Sequence, residues 1–487
     1  MQMPSLDTLL ADYWPHLVLV FSTLASAAAA VHAAMTKQDV RAAIGWVAVV
    51  LFSPLFGALL YLVAGINRVR YSKVGQLRDA ADPLLHRRPV NSDIDVAALT
   101  SPRFAAMKVL GDHVSQFALA AGNRVTPLAG GDEAYPAMLA AVRQARVSIA
   151  LGSYIFDNDG AGQEIAQALV EAQQRGVAVR VLIDSIGARY SRPSITRRLS
   201  KGKVRTALFM SDVLGLRLPY ANLRSHRKVL IVDGRLGFSG GMNIRAGFMA
   251  SFSGGNPARD AHFRLEGPVV AQLMTVFAHD WEFTTGESLR DAQWFPEGGP
   301  GAFADGVPVR AVASGPDRNM GRTHDMIVGA LSVAEHHVRI QSPYFLPDQA
   351  LISALATAAR RGVQVDVVIP GTNNLRLVDY AMTAQLDQLV SRGVRIWRAA
   401  GTFDHAKLLT VDGVWSYVGS SNLDPRSMRL NFELDMEIYD AATAQWITGR
   451  IEANIAQAQR ETLQSLAARP FAVRLRNRLI WLASPYL

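Results

Sequence analysis

Two long apolar runs stand near the start of the chain, before any segment with an amphipathic pattern. Leu17 to Met35 and Ala42 to Ile66 contain no Lys, Arg, Asp or Glu. Each is about the 20 residues that a helix needs to cross a bilayer. Residues 1–16 contain no Lys or Arg, unlike the basic start of a cleavable signal peptide. We therefore predict a retained transmembrane hairpin in residues 1–70, with spans at about 17–35 and 42–66; buried core helices are the alternative.

The orientation of this hairpin is predicted from the basic residues around it. Those that follow the second run are Arg68, Arg70, Lys73, Arg78, Arg87 and Arg88. Positive residues favour the cytoplasmic side of a membrane, so the rest of the chain is expected to face the cytoplasm. Lys37 and Arg41, between the runs, oppose this orientation but are fewer. Pro54 interrupts the second run and can break its helix, so a re-entrant hairpin is the alternative.

Beyond the hairpin, hydrophobic positions change between strand and helix periods in two similar segments, residues 146–184 and 337–370. Each runs through a strand, a loop, an amphipathic helix, an Arg-Gly-Val turn and a Val/Ile-rich strand, which predicts βαβ units around a buried parallel sheet. The predicted fold is α/β, with two pseudo-symmetric domains of mixed, largely parallel sheets flanked by helices. Its segments are a linker at 71–105, a first domain at 106–295 and a second domain at 305–487.

Composition narrows the chemistry. The 487 residues include 50 Lys and Arg against 41 Asp and Glu, and the net charge of +9 suits an anionic partner such as a nucleic acid or an acidic membrane. Cysteine is absent. Disulfides, thiolate metal sites and cysteine nucleophiles are therefore excluded.

Each half ends in the same short motif of a histidine, a lysine and an aspartate, followed by small residues and an asparagine. The first copy comprises His226, Lys228, Asp233, Gly240, Gly241 and Asn243, and the second comprises His405, Lys407, Asp412, Gly419, Ser420 and Asn422. The spacing is identical in both copies. A histidine and a lysine two apart on a strand point to the same face, so an imidazole and an ammonium can converge on one phosphate. Two matching copies indicate a functional site rather than ordinary surface side chains.

These paired motifs resemble those of the phospholipase D superfamily. The resemblance implies that one histidine attacks phosphorus and forms a covalent phosphohistidine, while the other protonates the leaving oxygen and then deprotonates the incoming water or alcohol. The residues implied to hold the phosphoryl oxygens are Lys228, Lys407, Asn243, Asn422 and Ser420. This scheme needs no metal ion or other cofactor. We expect His226 to be the nucleophile because it belongs to the first motif.

Each imidazole needs an acceptor that holds it in the correct tautomer, so a carboxylate is expected after each motif. Glu433 in NFELDMEI matches the downstream Asn-x-Glu of the superfamily, and Asp260 in RDAHFRLEGPVV is the candidate in the first half. Asp233 and Asp412 belong to the catalytic motifs. We expect them to stabilise the motif's own turn and lysine rather than to touch the substrate.

Features outside the motifs resemble the bacterial cardiolipin synthase family from end to end. They are the paired N-terminal runs, the RSHRK context of His226, the RDAHFRLEGPVV segment and SSNLDPRS at Ser420 to Ser427. One departure is Ser225, where an Asn is common. The resemblance implies phosphatidyl transfer from one phosphatidylglycerol to another, giving cardiolipin and glycerol. It also implies a multi-pass protein of the bacterial cytoplasmic (inner) membrane, and no obligatory protein partner is expected because the two halves form a pseudo-dimer.

The C-terminal segment from Phe471 to Leu487 interleaves arginines with apolar residues. Such a segment can lie on an anionic membrane surface. Alternatively, it packs on the second domain as an ordinary terminal helix.

Three other functions are weighed against the synthase. A phospholipase D that admits water to the phosphoenzyme would carry the same motifs. A nuclease would suit the net charge, but a transmembrane hairpin argues against a nucleic acid partner. A membrane scaffold without activity is disfavoured because both histidines, both lysines and both asparagines are present.

Overall fold

A computed structural model describes residues 6–37, 39–66, 78, 93–210 and 223–484. It divides into two units, Met1–Ser72 and Lys73–Leu487. The N-terminal unit contains α1 (Leu6–Thr36), α2 (Val40–Phe52) and α3 (Pro54–Leu60), and α3 continues as a π-helical turn over Tyr61–Gly65. Within α1, Tyr13–Thr36 is long and apolar enough to cross a membrane. The first predicted span therefore falls on a single helix.

The second predicted span is broken where Pro54 was expected to interrupt it. Ser53 has φ −140° and ψ 76°, and Pro54 opens α3 directly after it. A Cβ on Gly57 would lie 2.3 Å from the carbonyl oxygen of Val49, eight residues earlier, which shows that the chain bends sharply here. At 1.5 Å per residue α2 is about 20 Å long, shorter than the roughly 30 Å hydrocarbon core of a bilayer. The second span at 42–66 is therefore not one continuous helix, and the break agrees with the re-entrant alternative.

In the described part of the larger unit from residue 93 onwards, two helices precede the first repeat. The helices before the first strand are α4 (Val96–Leu99) and α5 (Phe104–Val114). The strands of the first half are β1 (Ala120–Leu128), β2 (Ser148–Ser153), β3 (Ala178–Asp184), β4 (Arg205–Phe209), β5 (Arg224–Ser225), β6 (Val229–Val232), β7 (Leu236–Gly240) and β8 (His262–Glu266). Its helices are α6 (Gly131–Gln144), α7 (Gly160–Gln174), α8 (Thr196–Lys201) and α9 (Val269–Thr285).

The second half repeats this plan and adds a C-terminal extension. Its strands are β9 (Val307–Ser314), β10 (His337–Gln341), β11 (Gln364–Pro370), β12 (Arg395–Ala399), β13 (Leu408–Val411), β14 (Trp415–Gly419), β15 (Asn431–Tyr439) and β16 (Gln459–Glu461). Its helices are α10 (Arg322–Val333), α11 (Gln349–Arg360), α12 (Arg376–Val390), α13 (Pro425–Arg429), α14 (Ala441–Ile455), α15 (Leu463–Ala467) and α16 (Phe471–Trp481).

The two halves share one continuous sheet. Its order is β16-β12-β11-β10-β13-β14-β15-β9-β1-β8-β7-β6-β2-β3-β4, and β5 pairs with β15. The order β9-β15-β14-β13-β10-β11-β12 repeats β1-β8-β7-β6-β2-β3-β4, and β1 pairs with β9 at the centre. The predicted pair of pseudo-symmetric α/β domains is confirmed, and the two domains are fused edge to edge.

The sheet is mixed, as predicted, but less parallel than expected. Parallel pairing along this order is confined to β2-β3-β4 and β10-β11-β12, which are the βαβ units of the two repeats. The hairpins β6-β7 and β13-β14 and the central strands pair antiparallel. Tight Asp-Gly turns close both hairpins: φ is 53° at Asp233 and Asp412, and it is also positive at the glycines that follow. Such turns connect only antiparallel neighbours.

The segment before β1 packs on the second half, although the first domain was predicted to begin at residue 106. Phe104 and Met107 of α5 share a core with Met326 and Leu331 of α10. A further core lies across the central strands and joins Phe263 of β8 to residues of β9 and β15. Separating the halves would therefore expose apolar surface on both.

Arg78 is one of the six basic residues expected at the membrane exit, but its side chain is fully buried in the larger unit. It forms ion pairs with Asp280 at 2.7 Å and Asp317 at 3.4 Å. Its guanidinium lies 4.4 Å from the ring centroid of Phe432. Arg78 is therefore not a free positive charge that could orient the hairpin, and the other five residues lie outside the described residues.

Candidate active site

The two motifs occupy corresponding positions, immediately before β6 and β13. The backbone N–H of His226 donates to the carbonyl oxygen of Phe432 at 2.8 Å. The N–H of His405 donates to the carbonyl oxygen of Arg259 at 2.7 Å. Each motif histidine is thus attached to a segment that belongs to the other half.

The carboxylates predicted to orient the histidines are exchanged between the halves. Nδ1 of His226 lies 2.9 Å from Oε2 of Glu433, and Nδ1 of His405 lies 2.9 Å from Oδ2 of Asp260. Both carboxylates are fully buried. When Nδ1 carries the proton that binds the carboxylate, Nε2 of each neutral ring keeps its lone pair. The structure brings both predicted carboxylates to the histidines, each from the opposite repeat.

Ser420, expected to bind phosphate, contacts one of these carboxylates instead. Its hydroxyl donates to Oε2 of Glu433 at 2.5 Å, because Ser420 follows β14, which pairs with the strand that carries Glu433. Gly241 occupies the equivalent position in the first half, where a Cβ would lie 2.4 Å from Oδ1 of Asp260. We infer that Ser420 positions Glu433 and that Gly241 makes room for Asp260.

Lys228 and Lys407 are buried beside the histidines of their own motifs. Each ammonium donates to the carbonyl oxygen of its histidine at 2.5 Å, and Nζ of Lys407 also lies 3.0 Å from both ring nitrogens of His405. Burial lowers the pKa of Lys228 to about 7 and that of Lys407 to about 8, although the nearby carboxylates raise both. Both lysines therefore titrate close to neutral pH.

Both histidines are neutral in the free site near neutral pH. Burial lowers the pKa of His226 well below its usual value, and the charges of Lys228 and Lys407 lower it further. Burial and Lys407 lower the pKa of His405 to about 4, against the opposing effect of Asp260. Lys228 also acts on His405. Since each lysine acts on the histidine of the opposite motif, the two motifs form one site.

Asn243 and Asn422 are buried in the loops that follow β7 and β14. Oδ1 of Asn243 accepts from the N–H of Ile155 at 3.1 Å, which fixes the orientation of its amide. Oδ1 of Asn422 is buried and accepts no hydrogen bond among the described residues. Among all the residues that the structure describes, no three His, Asp or Glu side chains are grouped so that they could hold a metal ion.

Asp233 and Asp412 lie in the left-handed turns after β6 and β13 rather than against the histidines. Asp233 accepts from the backbone N–H groups of residues 146–148 at 2.7–3.2 Å. Asp412 accepts from those of residues 335–337 at 2.8 Å. The expected contribution to the turn is present, but these bonds run to the start of the neighbouring strand and not to the motif lysine. We infer that both aspartates, predicted as catalytic, are structural.

The chain is similar to known proteins over nearly its whole length. The family model described as cardiolipin synthase, phospholipase D-like domain, matches residues 138–281 and 327–455, and the phospholipase D-nuclease N-terminal model matches residues 24–65. Cardiolipin synthase A of Pseudomonas syringae pv. syringae (strain B728a) is 34% identical over 480 residues, which cover 96% of this chain and 98% of that protein. The chain belongs to the cardiolipin synthase family.

Other similarities agree with this membership. Cardiolipin synthase A of Pseudomonas aeruginosa (strain LESB58) is 32% identical over 97% of this chain and 96% of its own length. The crystal structure of phosphatidylserine synthase from Haemophilus influenzae Rd KW20 covers 79% of this chain and 100% of that chain, with a TM-score of 0.59 and 17% identity, and thus shares the fold. The resemblance to cardiolipin synthases is therefore confirmed, and with it the assignment of the chain as a phosphatidyltransferase.

Two tyrosines lie next to the motif histidines, and they were not identified from the sequence. The ring of Tyr154 lies 5.3 Å from that of His226, and the ring of Tyr344 lies 6.1 Å from that of His405, both edge-on. Burial raises the pKa of both phenols, so they remain neutral. The aligned segments GSYIF and SPYFL place a tyrosine at the same position of each repeat. A residue-by-residue comparison of the repeats would have found them.

The structural role of the motif aspartates can be tested with Asp412→Ala. Three N–H groups lose their acceptor, so we expect the free energy of unfolding to fall by about 1–3 kcal/mol, while the folded protein still turns over substrate. Asp412→Asn keeps an oxygen acceptor and tolerates the positive φ, so its loss should be smaller. Thermal unfolding in detergent, with activity measured below the transition, gives both quantities. Loss of activity in Asp412→Ala with unchanged unfolding would contradict this role, and His405→Ala is the inactive control.

The lysine pKa values predict a basic limit to activity. Both ammonium groups must be protonated to hold phosphoryl oxygens, and their pKa values are about 7 and about 8. As pH rises through these values the lysines lose their protons, so kcat/KM is expected to fall by at least about tenfold per pH unit above them. A phosphodiester stays ionised over this range, so the substrate charge does not change. A kcat/KM that is constant from pH 7 to about pH 9 would show that the lysines remain charged.

Proposed function

We propose that the protein transfers a phosphatidyl group from one phosphatidylglycerol to the glycerol hydroxyl of a second, giving cardiolipin and free glycerol. The observation that carries the proposal is the pair of crossed histidine–carboxylate contacts at 2.9 Å, with two buried lysines beside them. Membership of the cardiolipin synthase family supports the choice of phospholipid substrate. Two imidazoles, each held by its own carboxylate, match a reaction that needs a nucleophile and an acid in one step and a base in the next.

In the first step Nε2 of His226 attacks phosphorus. The P–N bond forms while the bond from phosphorus to the oxygen of the headgroup glycerol breaks, and protonated His405 gives its proton to that oxygen, so that free glycerol leaves. Glu433 binds the Nδ1 proton of His226 and stabilises the positive charge that develops on the ring. Lys228, Lys407 and the two asparagines hold the phosphoryl oxygens as the charge on them increases.

His405 must gain a proton before it can act as the acid, since its pKa in the free site is about 4. Lys407 is the charge that contributes most to this low value. A bound phosphodiester anion offsets the charge of the lysines and so raises the pKa of His405. Protonation of the acid is thereby coupled to substrate binding.

In the second step neutral His405 takes the proton from the glycerol hydroxyl of the second phosphatidylglycerol. The oxygen of that hydroxyl attacks phosphorus, the P–N bond breaks, and His226 is released unchanged. Water in place of the alcohol would give phosphatidic acid. The proposed reaction uses neither a nucleic acid substrate nor a metal ion.

The proposed setting is the bacterial cytoplasmic membrane, with the larger unit facing the cytoplasm; in the predicted multi-pass arrangement, α2 and α3 together would have to form the second crossing. The apolar stretch Tyr13–Thr36 and the family support membrane association. The basic residues after Ile66, without Arg78, support the cytoplasmic orientation.

The reaction is tested by incubating the detergent-purified protein with phosphatidylglycerol and a metal chelator, and resolving the lipids by mass spectrometry. We expect cardiolipin and an equimolar amount of glycerol. His226→Ala and His405→Ala should lose this product, whereas His336→Ala, which changes an exposed histidine, should retain it. Phosphatidic acid without cardiolipin would contradict the proposed synthase and indicate a hydrolase.

The assignment of His226 as the nucleophile is tested with bis(p-nitrophenyl) phosphate, whose leaving group needs no acid. In His405→Ala we expect a burst of one p-nitrophenolate per site, because the adduct forms on His226 and is not removed. Mass spectrometry of peptides kept at alkaline pH should locate the adduct on His226. His226→Ala should give no burst. A burst in His226→Ala, with the adduct on His405, would reverse the assignment.

A further inference from the structure

The C-terminal helix α16 has two apolar faces. One packs on the second half, with Ile480 and Trp481 against its core and Asn477 buried. The other consists of Phe471, Leu475, Leu479 and Leu482, whose exposed fractions are 71, 46, 58 and 67%. At 3.6 residues per turn these four side chains fall within an arc of about 80°. We call these four residues the outer face of α16.

Basic side chains flank the outer face. Arg474 and Arg478 lie on one side of it and Arg476 on the other by helical position, and α16 contains no Asp or Glu. The guanidinium of Arg476 lies 3.6 Å from the ring centroid of Tyr380. Arg478 pairs with Asp387 at 2.5 Å, but both side chains are nearly half exposed. Such a pair contributes little to stability, so Arg478 can exchange this partner for a lipid phosphate.

We propose that the outer face of α16 lies in the headgroup region of an anionic phospholipid bilayer. An apolar face between arginines matches such a surface, because the apolar side chains enter the acyl boundary while the guanidinium groups contact lipid phosphates. A second copy of the chain matches less well, because two such faces would bring like charges together. The inference rests on the membrane association in the proposed function, but not on the reaction.

This contact would complement the N-terminal anchor. It would add a second attachment to the bilayer, at the surface where the lipid substrate lies. Both alternatives weighed for the C-terminal segment would then hold, one for each face of the helix.

The chain has no cysteine, so a single Leu479→Cys substitution can carry an environment-sensitive fluorophore. The labelled full-length protein is reconstituted in nanodiscs of phosphatidylglycerol or of phosphatidylcholine, with bromine-labelled lipid as a quencher. We expect several-fold stronger quenching in phosphatidylglycerol. The variant Arg474→Gln/Arg476→Gln/Arg478→Gln, in the same labelled background, should reduce it to the phosphatidylcholine level. Val147→Cys, at a 44% exposed apolar position of the first half, is the matched control and should show no quenching.

Three outcomes would overturn the proposal. The first is no quenching at position 479 together with the emission of a water-exposed label. The second is a shielded label that lipid does not quench and whose emission depends on protein concentration, which would indicate a second copy of the chain. The third is equal quenching at positions 479 and 147, which would indicate insertion by the label itself. Repeating the measurement in His405→Ala separates this inference from the reaction, because quenching should persist without turnover.

Discussion

The crossed contacts between each motif histidine and the carboxylate of the opposite repeat are the interaction on which the site depends. Asp260 and Glu433 are fully buried, and removing a carboxylate from water costs several kcal/mol unless it is paired. Each therefore needs the imidazole that the other half supplies. Neither half can form a working site alone, which explains why the two repeats are joined by a continuous sheet and a shared core rather than by a flexible linker.

The same burial determines the charge of the site. Two histidines are held neutral and two lysines have pKa values close to neutral pH. The lysines can therefore carry positive charge, but burial destabilises their protonated form. An anionic phosphodiester relieves this cost, because it stabilises both ammonium groups and the proton that the acid requires. In the proposed reaction, substrate binding and protonation of His405 are therefore coupled electrostatically.

A second buried cluster lies behind the site and includes a residue from the linker. Asp280 binds Arg227, which lies between His226 and Lys228, with two contacts at 2.7 Å. It also pairs with Arg78, whose guanidinium packs on Phe432, next to Glu433. Arg78 is therefore attached behind the motif histidine and its carboxylate.

The sequence by itself determined the repeats, the two motifs and the family, because local periods and spacing are properties of neighbouring residues. It predicted a second span over about 42–66 and gave the break at Pro54 only as the alternative. Asp260 and Glu433 were also identifiable by type, since an imidazole needs an acceptor. Their exchange between the halves was decided by pairing across the halves: β5, just before His226, pairs with β15, and Arg259, just before Asp260, bridges to Asp404. Long-range packing also places Ser420 against Glu433, whereas the sequence suggested that Ser420 binds phosphate. It buries Arg78, which the sequence suggested was a free charge beside the membrane. Only tertiary structure decides which distant groups share a buried space, because burial and pairing depend on neighbours that the local pattern does not specify.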